Sequence, residues 1–285
     1  MEGWSAMEET IPIHEETSEE HSHSLSRKFM KSTEISVLES SKNQLLDIVT
    51  KNRLLDAHVS VLVKTLTPEE AIGVPGRRDF PIILGKERVV EAEVLGARAH
   101  AFTDFPGEFV GDLREVFNFP LTSNKERSIF VATLNATLKY LNLIDNTIHC
   151  KDEDPERCGK KIASQILETW GKVKVGFIGL NPAIAENLIE TFGAENVRIT
   201  DLNKQNVNSS KYGVKIWDGN EMTEELIKQS HVILITGTTL VNATFDPIMD
   251  YICNHKKDYL IYGVTGAGIC KLLGLNRICP YSKNQ

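Results

Sequence analysis

The chain has 285 residues, of which 41% are hydrophobic and 25% are charged, and its mean hydropathy is -0.20. These values are ordinary for a globular protein and exclude collagen-like, coiled-coil and wholly disordered chains. The longest apolar runs fall far short of the roughly 20 residues that a membrane helix needs, so we expect a soluble protein without a membrane partner.

The charge of the chain is concentrated at one end. Lys and Arg number 32 and Asp and Glu 39, for a net charge of -7. Seven Glu and no Lys or Arg lie in the first twenty residues, so the other 265 residues carry 32 acidic and 32 basic side chains. Nucleic-acid binding needs a clustered basic face, and the sequence contains none. Five Cys in no disulfide spacing, without a signal-peptide pattern, predict a cytoplasmic protein.

Residues 1–32 are rich in Glu, Ser and His and poor in apolar side chains. Such a segment cannot repay the entropy of ordering, so we predict a disordered acidic tail. Its His and Glu side chains are weak metal ligands, and a solvated leader is the simpler interpretation.

Residues 33–150 are predicted to form an α+β domain. Apolar positions recur at helical spacing from about residue 41, and alternation over 59–63 predicts a strand. Residues 89–102 predict one or two further strands. Residues 125–142 place apolar side chains on one broad face, which predicts a helix that packs across the sheet. Strands followed by helices are typical of the α+β class.

Residues 151–285 are predicted to form an α/β domain. Asp154 and Pro155 read as the N-cap and first position of a connecting helix. Strands and helices then alternate, which indicates βαβ units and a parallel sheet. The predicted strands cover 173–178, 196–200, 214–217, 231–235 and 259–262, and the predicted helices cover 182–192, 221–229, 243–254 and 267–273.

The loop after the first of these strands is the first candidate for ligand binding, because open parallel sheets bind ligands at the carboxyl ends of their strands. Gly179 would relieve a tight turn, and Asn181 precedes a helix. The loop lacks a full G-x-G-x-x-G, so it is a weak dinucleotide signal. Asp201 ends the next strand, where it would accept hydrogen bonds from a ribose, and a purely structural turn residue is the equal alternative.

A second loop follows the strand at 231–235 and supplies Thr236, Gly237, Thr238 and Asn242. Hydroxyls, a carboxamide and backbone N–H groups at the start of a helix predict a polar ligand there. The alternative is that Thr and Asn only cap the helix.

A third loop has three Gly within residues 263–268 and contributes Thr265, Gly266 and Gly268. Glycines permit the close backbone approach that an anion needs. A Gly-rich turn without a ligand is an equal alternative.

His149, Cys150 and Cys158 are the candidate metal ligands, because imidazole and thiolate suit soft divalent metals. Their spacing matches no standard zinc pattern, and the two Cys are alternatively small buried hydrophobes. The remaining cysteines, Cys253, Cys270 and Cys279, are interpreted as core residues.

Three stretches carry a family resemblance: SIFVATLNATLKYLNLIDNTIHCKDEDPERCGKKIA, VILITGTTLVNATFDPIMDYI and YGVTGAGICKLLGLNRICPYS. With them the chain resembles, from about residue 41 to its end, a two-domain family of heavy-metal chelation proteins. The resemblance implies an N-terminal domain similar to the enolase N-terminal fold and a Rossmann-like C-terminal domain. It also implies a place in metal or corrinoid-related metabolism. The residues that match its recurrent stretches are Asn135, His149, Cys150, Thr236, Gly237, Thr238, Asn242 and Gly266.

We therefore expect a small polar or metal-bearing ligand in the cleft between the domains. The strand-end loops would hold an anionic group, Asn135 would reach from the first domain, and His149 or Cys150 would face a metal. The cofactor is not identified by the sequence, although a transition metal is the candidate, and catalytic residues and oligomeric state stay open. The alternatives are a nucleotide- or S-adenosylmethionine-dependent enzyme that uses Gly179 and Asp201, and a non-catalytic scaffold.

Overall fold

The computed structural model describes residues 35–55 and 57–284, which build two β-sheets and the helices packed on them. The tail predicted over residues 1–32 lies outside the described residues. The chain is of the mixed α/β class, as predicted, with one largely parallel sheet. The more specific resemblances, to the enolase N-terminal fold and to the Rossmann fold, stay predictions.

The first sheet is antiparallel. Its strands are β1 Ser60–Leu66, β2 Arg88–Val94, β3 Ala97–Thr103 and β4 Phe109–Asp112, in the order β3-β2-β1-β4. Its β2–β3 hairpin turns at Leu95 and Gly96, whose φ angles of 50° and 81° are both positive. Positive φ at both central residues is the signature of the hairpin turn that suits the twist of the two strands. The helices of this half are α1 Val37–Lys51, α2 Pro68–Ile72, α3 Leu113–Phe117 and α4 Asn124–Tyr140.

Helix α4 is the centre of the first half. Ser123 and Glu126 form a reciprocal capping box at its start, which satisfies N–H groups that would otherwise lack partners. Residues 127–138 are all buried, although the sequence predicts a single broad apolar face. The reason is that α4 packs on β2 and β3 and is also covered by the last helix of the second half.

The second half alternates strands and helices, as predicted. Its connecting helix starts at Asp154 with Glu153 as the N-cap residue, one position earlier than predicted. The elements are α5 Asp154–Trp170, β5 Val175–Ile178, α6 Pro182–Phe192, β6 Val197–Asp201, β7 Ser210–Lys211, β8 Val214–Asp218, α7 Gly219–Gln229, β9 Val232–Thr236, α8 Phe245–Asn254, β10 Asp258–Tyr262, α9 Ala267–Leu273 and β11 Arg277–Ile278.

The second sheet has the order β11-β10-β9-β5-β6-β8-β7, and all pairs except β7–β8 are parallel. The chain starts in the middle at β5, builds outward through β6 and β8, and then crosses to β9 on the other side. This order creates a topological switch point between β5 and β9. Ligands of open parallel sheets bind at such a point, beyond the carboxyl ends of the strands.

Segment 73–87 joins α2 to β2 and is anchored on the second half by Arg77. The Nε of Arg77 lies 2.6 Å from a carboxylate oxygen of Glu156 on α5, and its Nη1 lies 2.6 Å from the hydroxyl of Tyr212. Its Nη2 also pairs with Glu186 on α6. Arg77 is only 16% exposed, and its planar donors suit several acceptors at once. The anchor fixes a segment that has no helix or strand of its own.

In the described part of the chain, no helix combines the length and the apolar character that crossing a bilayer requires.

Candidate functional site

A cavity of about 630 Å³ opens at the carboxyl edge of the parallel sheet. Its volume lies in the range of small-molecule sites, which is about 300 to 1,000 Å³. The strand ends that reach it include both sides of the switch point. The second half lines it with Ile178, Gly179, Thr200, Asp201, Thr236 and Tyr262, and the first half with Pro81, Lys86, Glu87, Phe102 and Asp104.

Gly179 and Asn181 line the cavity as predicted residues of the first loop. Gly179 has a φ of +87°, and a Cβ on it would lie 2.5 Å from Thr236 Cγ2. The turn therefore requires glycine for conformation and for contact. Asn181 accepts a hydrogen bond at 3.2 Å from the N–H of Ile184 and is the N-cap of α6.

Asp201 also lines the cavity, but its carboxylate is occupied by its own loops. It accepts hydrogen bonds from the N–H of Leu180 at 2.8 Å and from the N–H of Asn203 at 2.6 Å. Asn206 Nδ2 lies 3.4 Å away. Burial raises the pKa of Asp201 while these donors lower it. A carboxylate with three donors has little capacity left for a ribose, so its position fits the structural alternative.

The second loop lines the cavity with Thr236, Gly237, Thr238 and Asn242. Its polar groups largely bond to one another: the hydroxyls of Thr236 and Thr238 lie 3.1 Å apart, and Asn242 Oδ1 accepts from the hydroxyl of Thr244 at 2.7 Å. The loop is a short 3₁₀ turn, Gly237–Leu240, with Thr236 as its N-cap. These side chains therefore hold the loop in shape as well as facing the cavity.

Only part of the third loop lines the cavity. Thr265 lines the cavity and its Oγ1 accepts a hydrogen bond at 3.0 Å from the N–H of Phe102 on β3. Gly266 and Gly268 do not line it. A Cβ on Gly268 would collide with Leu134 of α4, so this glycine serves the packing of two helices.

Asn135, predicted to reach the ligand, does not line the cavity and is fully buried. Its Oδ1 accepts from the N–H of Gly268 at 2.7 Å, and its Nδ2 lies within 3.3 Å of the carbonyl oxygens of His100, Val264 and Thr265. The amide is saturated by backbone groups, so its place is the interface between the two halves.

His149 lines the cavity beside Phe102, and the two rings are 5.0 Å apart in an edge-on arrangement. Its Nδ1 lies 2.6 Å from the carbonyl oxygen of Cys150, and its backbone N–H donates to His100 Nδ1 at 3.2 Å. Burial, and next the neighbouring His100, lower the pKa of His149 to about 4. The imidazole is therefore neutral at pH 7.

Three thiols lie on the same wall. Cys150 and Cys158 share a hydrogen bond, which raises the pKa of Cys150 and lowers that of Cys158. Cys279, interpreted from the sequence as a core residue, lines the cavity too and interacts electrostatically with both. It follows β11, a two-residue strand that the sequence pattern does not reveal. We name His149, Cys150, Cys158 and Cys279 the thiol wall.

The thiol wall is not a closed metal site. In the described ranges 35–55 and 57–284, no group of three or more His, Cys, Asp or Glu side chains is arranged to hold a metal ion. A metal bound here would therefore need ligands from outside the chain.

The charges that line the cavity are mainly negative, although the sequence predicts an anionic ligand. Glu87 is the carboxylate that sequence reasoning misses, because it belongs to an irregular segment distant in the chain from the sheet. Burial, with Asp201 and Asp104 nearby, raises the pKa of Glu87 to about 7. The charged lining residues are Lys86, Glu87, Asp104, Asp201, Glu221 and Glu224. This balance favours a cationic or metal-bearing ligand over an anion.

Comparison with known proteins agrees with the resemblance seen in the sequence. A model of the DUF364 family, described as "Putative heavy-metal chelation", matches residues 163–270. The matched range contains most of the strand-end loops, whereas the thiol wall and Glu87 lie outside it. No curated protein sequence matches the chain.

Two solved structures of proteins with unknown function from the same family are similar to this chain. One is from Pyrococcus horikoshii, with 16% identity, a TM-score of 0.47, and coverage of 81% of this chain and 80% of that chain. The other is from Desulfitobacterium hafniense DCB-2, with 12% identity, a TM-score of 0.43, and coverage of 80% and 83% respectively.

Proposed function

We propose that the protein binds a metal-bearing small ligand in the cavity, with the thiol wall in contact with the metal. The observation that carries this proposal is the orientation of His149 at the wall of a ligand-sized cavity, beside a pair of thiols. The family resemblance implies heavy-metal chelation or corrinoid-related metabolism as the setting.

The hydrogen bond of His149 fixes its tautomer. A carbonyl oxygen only accepts, so the Nδ1 that lies 2.6 Å from the Cys150 oxygen carries the hydrogen. In a neutral imidazole the Nε2 atom then keeps its lone pair. Metal-binding histidines use the same arrangement, in which a carbonyl orients the ring through the other nitrogen. His149 thus offers one nitrogen donor that does not have to lose a proton at neutral pH.

The thiols add donors that prefer the same metals as the imidazole of His149 does. Thiolate and imidazole favour zinc, copper, nickel and cobalt over magnesium or calcium. Because the shared hydrogen bond lowers the pKa of Cys158 and raises that of Cys150, Cys158 is the thiol that ionises first. Cys158 and His149 are therefore the two protein donors that need least proton release to bind a metal.

The size of the cavity decides between a bare ion and a complex. A volume of about 630 Å³ far exceeds what one ion fills, and no closed set of three donors is arranged in the described chain. A metal that brings its own organic ligands would need only one or two protein donors and would occupy the remaining volume. An open cavity of this size also argues against a scaffold that binds no ligand. The carboxylate of Asp201 already accepts hydrogen bonds from its own loops, which argues against an enzyme that binds a ribose there.

The test is titration of the full chain with Co²⁺ under anaerobic conditions, followed by optical absorption. Thiolate ligation produces a charge-transfer band, and the segment 1–32 contains no Cys, so its histidines cannot produce it. We expect the band in the wild type and in Cys253→Ser, and a much weaker band in Cys158→Ser. His149→Ala should shift the ligand-field absorption because a nitrogen donor is lost. An unchanged spectrum in both wall variants would remove the metal from the proposal.

A further inference from the structure

Two polar side chains that line the cavity, those of Glu87 and Thr200, have no partner among the residues that the structure describes. The carboxylate of Glu87 receives neither a hydrogen bond nor an ion pair from any residue in the ranges 35–55 and 57–284, although its backbone carbonyl accepts from Arg88 at 2.9 Å. The hydroxyl of Thr200 is fully buried and likewise unpartnered within the described chain. Both residues line the same cavity.

The neighbouring acids do not share this condition. Asp201 accepts three hydrogen bonds from its own loops, and Asp104 accepts one from Asn124 Nδ2 at 2.6 Å. Glu87 therefore differs from these two acids in that its carboxylate accepts no hydrogen bond from the described residues. Tyr262 lies within electrostatic range of it, but its hydroxyl donates to the carbonyl oxygen of Gly179 at 3.0 Å.

Buried polar groups in native proteins are normally hydrogen-bonded, and each exception calls for an explanation. The hydroxyl of Thr200 is such an exception, and the half-buried carboxylate of Glu87 beside it in the cavity lining has a charge that a cation would offset. Two unpartnered polar groups in the lining of one cavity are explained together if the ligand supplies the missing donors.

We propose that Glu87 and Thr200 form a subsite for an organic cation, an ammonium or amidinium group of the ligand, whose N–H groups donate to the Glu87 carboxylate and to the Thr200 hydroxyl. This inference rests on the proposed function in one respect, namely that the ligand occupies this cavity, and it adds the chemical class of a second part of that ligand.

A hard metal ion does not explain the subsite as well. Calcium takes six to eight oxygen ligands and magnesium an octahedral six, several of them water, and the oxygens of Asp201 already accept hydrogen bonds from N–H donors. A soft metal prefers the thiol wall. A planar or tetrahedral N–H cation needs only the acceptors that are free here. The raised pKa of Glu87 agrees with this interpretation, since a proton takes the place of the cation when the ligand is absent.

The experiment uses butylguanidinium as the probe and butylurea, its uncharged analogue of the same shape, as the matched ligand control. Binding to the full-length protein at pH 8 is measured by isothermal titration. We expect the wild type to bind butylguanidinium at least about tenfold more tightly than butylurea, since hydrogen bonds to charged groups contribute about twice as much as neutral ones. Similar affinities for both probes, or binding of neither, would overturn the proposal.

Variants then assign the contact. Glu87→Gln should weaken butylguanidinium binding about tenfold or more, and Thr200→Val several-fold. Two matched controls should leave the affinity within about twofold: Glu190→Gln removes an exposed carboxylate that does not line the cavity, and Thr133→Val removes a buried unpartnered hydroxyl that lies outside it. An equal loss in Glu190→Gln would show that only the net charge of the protein acts, and unchanged affinity in Glu87→Gln would refute the subsite.

The fold of each variant is checked by its melting curve. If Glu87→Gln misfolds, Thr200→Val still tests the subsite. The cobalt band of the thiol wall should survive in both Glu87→Gln and Thr200→Val. Loss of cation binding with an intact cobalt band separates this subsite from the metal contact. Cation binding without any cobalt band would refute the metal contact and leave the subsite standing.

Discussion

Asn135 on α4 and Gly268 on α9 are joined by a hydrogen bond of 2.7 Å from the glycine N–H to the asparagine Oδ1. The two residues are 133 positions apart in the chain, and both are buried. This bond links a helix of the first half to the start of the last helix of the second half. Asn135 therefore joins the two halves of the fold.

The first prediction concerns this asparagine. Asn135→Ala leaves the Gly268 N–H and several carbonyl oxygens without a buried partner, which should lower the free energy of unfolding by about 2 to 4 kcal/mol. Chemical denaturation followed by circular dichroism measures the change. Asn254→Ala, at an exposed position on α8, is the control and should cost less than about 0.5 kcal/mol. If Asn135→Ala instead abolished Co²⁺ binding while leaving stability unchanged, Asn135 would be a ligand residue as the sequence predicts.

The second prediction concerns the turn at Gly179. Gly179→Ala places a methyl group 2.5 Å from Thr236 Cγ2 at a φ of +87°, so strain and collision should together cost about 2 to 4 kcal/mol. Gly274→Ala has a comparable φ of +66° with nothing within 4 Å and should cost only about 1 to 2 kcal/mol. Thermal melting of the two variants measures the difference. Equal melting temperatures would mean that β5 and β9 do not approach this closely at the switch point.

The third prediction is a pH dependence of stability. The folded-state pKa of Glu87 is raised to about 7 from 4.5, by burial first and then by Asp201 and Asp104. Between these two values the folded chain holds more protons than the unfolded chain, so the contribution of Glu87 to stability falls as pH rises from 4.5 to about 7. Glu87→Gln removes this loss and should become more stable than the wild type by about 1 to 3 kcal/mol at pH 8.

The measurement for Glu87 is a series of melting curves from pH 4.5 to 8.5. The difference in melting temperature between Glu87→Gln and the wild type should grow from pH 4.5 to about 7 and level off above that pH. Glu190→Gln removes an exposed carboxylate from α6 and controls for the loss of one charge. Parallel curves for Glu87→Gln and the wild type would show that the carboxylate is solvated.

The fourth prediction orders the reactivity of the cysteines. Cys158 is partly exposed to the cavity, and its hydrogen bond with Cys150 lowers its pKa, whereas burial raises the pKa of Cys270 to about 12. Since the thiolate is the reactive form, iodoacetamide should modify Cys158 well before Cys270. Timed alkylation of the folded protein with peptide mass spectrometry gives the order. Prior addition of Co²⁺ should slow the alkylation of Cys158. The alkylation rate of Cys253 on α8 should not change and serves as the internal reference.

The second half of the fold was the more predictable half. The helices predicted at 182–192 and near 267–273 are confirmed. Asn181, Pro182 and Gly193 mark the ends of the first, and Gly274 marks the end of the second. The short elements α2, β4, α3, β7 and β11 were missed. A strand of two residues such as β11 exists because it pairs with β10, and no local pattern reports such pairing.

The residues that line the cavity agree only in part with the site residues that the sequence predicts. Gly179, Thr236 and Thr265 follow or end strands and line the cavity. They could be predicted because the sequence shows where each parallel strand ends, and ligands bind at that edge of the sheet. The side chain of Asn135 could bind a ligand, but in the structure it bonds to backbone groups between the two halves. The sequence alone does not distinguish an asparagine that binds a ligand from one that joins two parts of the fold. Glu87 and Cys279 come to the cavity from distant segments, so no spacing rule could connect them with the sheet.

Two hydrogen bonds described above, from Phe102 to Thr265 and from Gly268 to Asn135, cross between the halves next to the cavity. Hinge opening would break both of them and expose buried polar groups, which is costly. The cleft should therefore behave as a rigid pocket and not as a clamp. In stopped-flow mixing, the observed association rate should then rise linearly with ligand concentration, without the plateau that a slow opening step imposes.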